Sequence, residues 1–422
     1  MRNPALDGIR GLAILWVFAF HANALLVVGP GEASLSWGQS LAQKGLLGVQ
    51  LFFVLSGFLL ALPWMSAAAE GQAYPRISGF FARRARRILP AYWLHLALLL
   101  GLILPILRGG HAILGTDIGQ ANLWLHIPLL HFLHPGTSGS LGLNMALWSL
   151  SIEAQFYLLL PLLAPLFVGN RVLVALPVAV LVALLWKTHA PGLLMDWVYL
   201  SVSPSRLVFF DPISGRAGPF PPEMMAFFLE RQLPGEIIAF ALGMTAANLY
   251  TRLGAAEPTR RLLWALDASA VTFLGLATPA LIQLSFAEVL TGASWRYLGM
   301  PLFLVGSSLV VLAAAFRAPV VARIFGSPLF MPIGVISYSL FLWHEPILRL
   351  VAAGWLTPSG CVDSACRVTI ALASGLVVAS LSYLFIERRH RKPSKGGPLR
   401  GQPSWTDSSS SSSPSPSDKS RI

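Results

Sequence analysis

The sequence predicts an all-α fold, a polytopic membrane helix bundle of about ten transmembrane helices with both termini on the cytoplasmic side. Three observations lead there. Hydrophobic residues make up 55% of the 422 and charged residues only 11%, against roughly 25% charged in an ordinary soluble domain, and the mean hydropathy is +0.66. Apolar runs of about 20 residues, the length that crosses a hydrocarbon core, recur along the chain. Lys and Arg gather in alternate connections between those runs, as the positive-inside rule requires. The net charge of +12 therefore reports topology. The basic residues lie in short clusters between apolar runs, so no nucleic-acid partner is expected.

The first run, near 8–28, reads LDGIRGLAILWVFAFHANALL. It holds an acid and a base and lacks a small-residue cleavage site, so it is expected to be a retained span and not a secretory signal. Further spans are expected near 46–64, 88–107, 146–168, 171–187, 234–251, 262–284, 297–316, 330–352 and 367–386. With the N-terminus inside, the cytoplasmic connections carry Arg83, Arg84, Arg86 and Arg87, then Arg171, then Arg252, Arg260 and Arg261, then Arg317 and Arg323, and finally Arg388, Arg389, Arg391 and Lys392. The segment 111–134 has room for a re-entrant or extra helix. Two long outer loops, near 109–145 and 188–233, are rich in Pro and Gly. The first carries His111, His126, His131 and His134, without accompanying Cys or carboxylates, so no metal site is expected there. Cys361 and Cys366 fall in the last outer loop, where they are either disulfide-bonded or two free thiols. Residues 1–390 form the membrane domain. From 391 to 422 the composition changes to a Ser/Pro-rich tract that cannot bury a core, expected to be a disordered cytoplasmic tail.

Ionisable groups inside apolar runs single out the candidate site, because each costs roughly 2.5–3.5 kcal/mol near the middle of a membrane helix. Arg10 and His21 stand eleven residues apart on the first span, which returns them to nearly the same helix face about 16 Å apart along the axis. Asp7, three residues before Arg10, offers it a simple ion-pair partner. The cluster FFARRARRILPAYW is either a positive-inside anchor or a clamp for phosphate, since Arg presents a planar fork of donors. Ser56 and Gly57, in GVQLFFVLSGFLLALP, either permit close helix packing or line a substrate path. Glu153 and Tyr157, four apart in LWSLSIEAQFYLLLPLL, share a face; Glu153 is either functional or the partner of a cation on a neighbouring helix. The ninth span, GVISYSLFLWHEPILRL, brings His344, Glu345 and Arg349 into apolar surroundings. On these spans His21, Glu153 and His344 come out at a comparable, outer or middle, depth, with Arg10 and the Arg cluster toward the inside.

These segments also carry a resemblance. LDGIRGLAILWVFAFH, GVQLFFVLSGFLL, FFARRARRILPAYW, WSLSIEAQFYLLLPLL, ISYSLFLWHEPI and FIERRHR, in that order over roughly residues 1–390, resemble the integral membrane acyltransferase family of O-antigen, exopolysaccharide and macrolide O-acylating enzymes, the acyltransferase-3 family. The resemblance implies a multi-pass protein of the cell (inner) membrane that moves an acyl group, acetyl above all, from cytoplasmic acyl-CoA to a sugar hydroxyl. Acyl-CoA would serve as co-substrate, with no permanently bound cofactor. Arg10 and His21 map to the family's essential pair, and Arg84 and Arg87, with Arg83 adjacent, to its paired Arg motif for the CoA phosphates. Ser149, Ser151 and Glu153 match its SxSxE core. Where many members read EEQFY this chain has Ala154, and where many read WHWP it has Glu345.

His21 is the expected general base, since a neutral imidazole can take a proton from an alcohol that attacks a thioester. Glu153 or Glu345 would orient an imidazole and stabilise its charged form, as a carboxylate does in a triad, and His344 would complete the acid–base set. Ser56, Tyr157 and Glu345 are the expected substrate contacts. The chain has no GxSxG, HxxxxD or HExxH motif, so direct transfer requires fewer assumptions than an acyl-enzyme on Ser56. The rival class is a proton-coupled secondary transporter or lipid-linked sugar flippase, which uses buried Arg, His and Glu in the same way.

Overall fold

The computed structural model describes residues 3–27, 36–107, 117–133, 144–201, 208–211, 216–219, 225, 228–254, 258–285, 288–289 and 292–390. The expected tail, His111 and His134 lie outside these residues. All ten expected spans are helical. They are α1 Pro4–Ala22, α3 Leu47–Ala69, α4 Ile77–Leu98, α6 Trp148–Leu163, α7 Val172–Ser201, α8 Leu233–Leu253, α9 Arg260–Gln283, α10 Met300–Ala315, α13 Ser337–Ala352 and α14 Ser364–Ser382. Between them run the shorter α2 Trp37–Gln43, α5 Asp117–His126, α11 Pro319–Phe325 and α12 Met331–Val335, and an antiparallel hairpin of β1 Val208–Asp211 and β2 Arg216–Pro219. Helix α5 occupies the segment with room for an extra helix. The start of the second expected loop is helical too, because α7 continues through Pro191 to Ser201.

Among the described residues eight helices are long and apolar enough to cross a membrane. The two expected spans outside that set are α8 and α13. Both are shielded from lipid by protein, so α13 can be as short as 16 residues and both can carry polar groups: Glu236 and Asn248 on α8, and His344, Glu345 and Arg349 on α13, are all buried.

Local chemistry explains where the helices start. Asn3 caps α1 by accepting from the amides of Ala5 and Leu6 at 3.0 and 3.5 Å, with Pro4 following. Ser36 and Gln39 form a capping box on α2. Asp267, buried on α9, accepts from Val320 N and Val321 N at 2.8 and 3.0 Å and so caps α11 from another helix. Asp363 caps α14, just after Cys361, which is disulfide-bonded to Cys366 across a Cα separation of 5.8 Å.

Small residues set how the helices meet, as expected where packing and not hydrophobic transfer drives association. Helices α3 and α8 cross at Gly57 and Gly243, where a Cβ would stand 2.3 Å from Phe240 O and 2.1 Å from Val54 O respectively. Gly48 packs on Ala13 O and Gly45 on Trp16 O, so α3 runs antiparallel to α1. Gly11 packs on Phe330 O and Gly334 N, and ten residues further along each chain His21 meets His344, so α13 runs parallel to α1. These registers place side chains from separate spans at known relative depths.

Candidate active site

A cavity of about 1390 Å³ opens at the end of the bundle that holds the start of α1 and the end of α3. It is larger than the roughly 300–1,000 Å³ that takes a drug-sized ligand. Its mouth includes the exposed Gln72 and Ala73, and its wall carries the guanidinium residues Arg10, Arg84, Arg87 and Arg317. A smaller polar pocket of about 250 Å³ adjoins it between Asp7, Arg10, Arg87, Ser337 and Tyr338.

The arginines reach the cavity because α4 begins at Ile77, well before the expected span, and takes the whole cluster onto a helix. Residues three apart share a helix face, so Arg84 and Arg87 line the cavity together while Arg83 and Arg86 are exposed and outside its wall. The expectation that Arg83 joins them is thereby corrected by helical phase. Arg84 lies over the Phe80 ring at 5.9 Å, and its buried Nε has no hydrogen-bond partner among the described residues. Arg10 pairs with Asp7 at 3.3 Å while lining both cavities, so the ion-pair and cavity readings hold together. Ser56 lines the cavity and donates to Glu153 Oε1 at 2.5 Å, with Tyr157 on the same wall. Ser56 and Gly57 thus divide the two roles open to them, one facing the cavity and the other packing a helix.

The imidazoles lie beyond the cavity. His21 Nδ1 is 2.9 Å from Val17 O and 3.3 Å from His344 Nε2, and the rings are 4.9 Å apart in an edge arrangement. His344 Nδ1 faces Phe341 O at 2.7 Å and Leu340 O at 3.2 Å. A carbonyl oxygen only accepts, which assigns the proton of each ring to Nδ1. His21 Nδ1–H is then shared between Val17 O and the lone pair of His344 Nε2, and His21 Nε2 keeps a lone pair for chemistry. Neither imidazole lines the cavity, but Phe341, one turn before His344 on α13, does.

Depth is where the structure departs most from the sequence expectation. Gly48 is level with Ala13. Ser56 lies eight residues from Gly48 toward the mouth, and His21 eight residues from Ala13 the other way, so the two stand on opposite sides of that contact. Glu153, bonded to Ser56, lies on the Asp7 and Arg10 side of that contact, and among the described residues no hydrogen bond joins it to either imidazole. Glu345 is nearer to them but is buried and engaged. Its Oε1 accepts from Arg349 Nε and Nη2 at 3.1 and 2.8 Å and its Oε2 from Ala146 N at 3.1 Å, tying α13 to the start of α6. It holds the imidazole helix in place and does not line the cavity, contrary to the expectation of a substrate contact.

The sequence did not mark Arg317 as a cavity residue, and three buried histidines, His95, His126 and His131, lie off the cavity wall. Arg317 lies at the mouth in a left-handed conformation with φ 56°; in the sequence it is one more positive-inside arginine. His95 sits in an apolar run and carried the same signal as His21. Its Nε2 is 3.2 Å from Asn144 Nδ2, which also donates to Leu342 O at 2.8 Å, and its ring packs on Trp343 at 4.8 Å. His126 and His131, expected in an outer loop, are buried and stacked at 3.8 Å.

A profile of the family described as an acyltransferase domain matches residues 3–384. Among curated proteins the chain is similar to the peptidoglycan O-acetyltransferase OatA of Listeria monocytogenes, at 26% identity over 409 residues that cover 92% of this chain and 56% of that protein. It is similar also to the O-acetyltransferase OatA of Staphylococcus aureus, at 25% over 399 residues covering 92% and 57%. The chain thus spans a little over half the length of these relatives. No solved structure matches it.

Proposed function

The chain belongs to the acyltransferase domain family, and from that premise we propose that it is an O-acetyltransferase of the cell membrane that moves an acetyl group from cytoplasmic acyl-CoA to a hydroxyl of a sugar-containing acceptor. The observation that carries this reading is one cavity with arginines at its mouth and a base-competent imidazole just past its deep end. Arg10, Arg84, Arg87 and Arg317 line the lower part, where their forks suit the several phosphates of the donor. The unpartnered Arg84 Nε supports an anionic occupant. His21 stands about 16 Å above Arg10 along α1, a separation suited to an elongated donor with its charge at one end and its thioester at the other.

In this reading His21 Nε2 takes the proton of the acceptor hydroxyl as its oxygen attacks the thioester carbonyl. The C–O bond forms, the C–S bond breaks, and the imidazolium returns the proton to the departing thiolate, leaving ester and free thiol. Positioned base catalysis of this kind contributes about 10²–10⁴ in rate. His344 positions His21 by accepting its Nδ1–H. Glu153, at the arginine level, works on the donor by holding Ser56 and Tyr157 in the cavity wall. The acceptor approaches from the outer side, where the relatives' names point to glycans of the peptidoglycan kind.

The test is release of free thiol from acetyl-CoA by the purified protein, with and without a peptidoglycan-derived oligosaccharide. Acceptor-dependent thiol release that His21→Ala lowers at least 100-fold supports the reading. Movement of unmodified acceptor across vesicles with no thiol released would reject it in favour of a transporter.

A further inference from the structure

The cavity wall ends one helical turn short of His344, at Phe341. Phe341 lines the cavity's deep end, its ring centroid is 5.9 Å from that of His344, and His344 itself is fully buried behind it. The backbone there is fixed, because Phe341 O accepts the His344 Nδ1–H at 2.7 Å, so only the side chain is left to yield. Phe53, on the same wall, is held differently. It stacks on Phe240 at 4.7 Å and meets Trp148 edge-on at 6.2 Å.

We propose that Phe341 is the residue that sets acyl-chain length: its ring closes the donor cavity beneath the His21–His344 pair, leaving room there for a short acyl group and none for a long one. The inference rests on the acyl-CoA reading above and adds a specificity element to it. The arginines fix the phosphate end of the donor, and the registers fix the depth of the imidazoles. The thioester must lie between the two, with its acyl group against the Phe341 ring. One methylene more or less in an apolar pocket changes discrimination about 10- to 200-fold, so a ring at this point is enough to select between chains that differ by two carbons. Removing it opens apolar space next to the imidazoles, which a longer chain would fill.

The experiment measures binding of free CoA and of the unreactive thioethers S-ethyl-CoA and S-butyl-CoA to the purified full chain, for wild type, Phe341→Leu and Phe341→Ala. The expected result is that Phe341→Ala shifts the butyl-to-ethyl affinity ratio at least tenfold toward butyl and Phe341→Leu shifts it less, both with free CoA bound within about threefold of wild type. A ratio unchanged in variants that still bind CoA overturns the proposal. So does loss of free CoA binding in both variants, which would make Phe341 a brace of the cavity and not a selector. If wild type binds no CoA, the donor reading itself has failed, and that outcome is distinct from the other two.

Discussion

Replacing His344 with Leu tests the imidazole pair most sharply, because the geometry sets the size of the effect in advance. His21 Nδ1 has two acceptors, Val17 O at 2.9 Å and His344 Nε2 at 3.3 Å. The substitution removes the longer one and keeps the shorter, so the tautomer that leaves Nε2 free survives. What is lost is one neutral hydrogen bond and the ring contact at 4.9 Å. A bond of that kind contributes about 0.5–1.5 kcal/mol net, which corresponds to about 2- to 13-fold in rate. His21→Ala removes the base itself and falls by about 10²–10⁴. The assay is acceptor-dependent thiol release at saturating acetyl-CoA, with kcat and donor KM fitted separately. His344→Leu should lower kcat about tenfold and leave donor KM near wild type, since the imidazoles lie beyond the arginine level. A folded His344→Leu protein as inactive as His21→Ala would refute the assignment of the base to His21 alone. A variant with unchanged kcat would refute the positioning role.

Two further predictions follow from helix phase and helix packing. Arg84→Ala should weaken donor binding by about 10- to 150-fold, the range for losing hydrogen bonds to a charged group at about 1.5–3 kcal/mol, whereas Arg83→Ala, exposed and outside the cavity, should change it less than about twofold; titration with CoA measures both. Gly243→Leu should lower the thermal unfolding midpoint in detergent, because its Cβ would fall 2.1 Å from Val54 O and 2.7 Å from Phe58 N and overpacking costs about 1–3 kcal/mol; an unchanged midpoint would contradict the α3–α8 crossing.

The spans were legible because hydropathy over some 20 residues is a property of the local chain. Even α8, with its buried Glu236 and Asn248, and α13, only 16 residues long, are legible as helices. Arg10, His21, His344, Ser56, Arg84 and Arg87 were legible for a related reason, since an ionisable or polar group in an apolar run stands out whatever it touches. His95 stood out equally and was passed over beside the four arginines of its own helix. Arg83 is not separable from Arg84 and Arg87 in the sequence, because α4 starts at Ile77, eleven residues before its apolar run, and hydropathy assigns no helical phase to residues outside that run.

What the sequence by itself determined is the class of molecule, the helices and many of the polar residues that the fold gathers at the cavity and in the imidazole pair, all of which follow from the local cost of putting charge in an apolar segment. Depth was decided by the tertiary structure alone. Glu153 was expected level with His21, yet it bonds Ser56 on the arginine side of the Gly48–Ala13 contact, and His344 stands beside His21 instead. The physical reason is that the relative height of two helices is set where their backbones touch, at Gly48 on Ala13 and at Gly11 on Gly334. Hydropathy locates a span's edges only to within several residues, and each residue of error moves a side chain by about 1.5 Å.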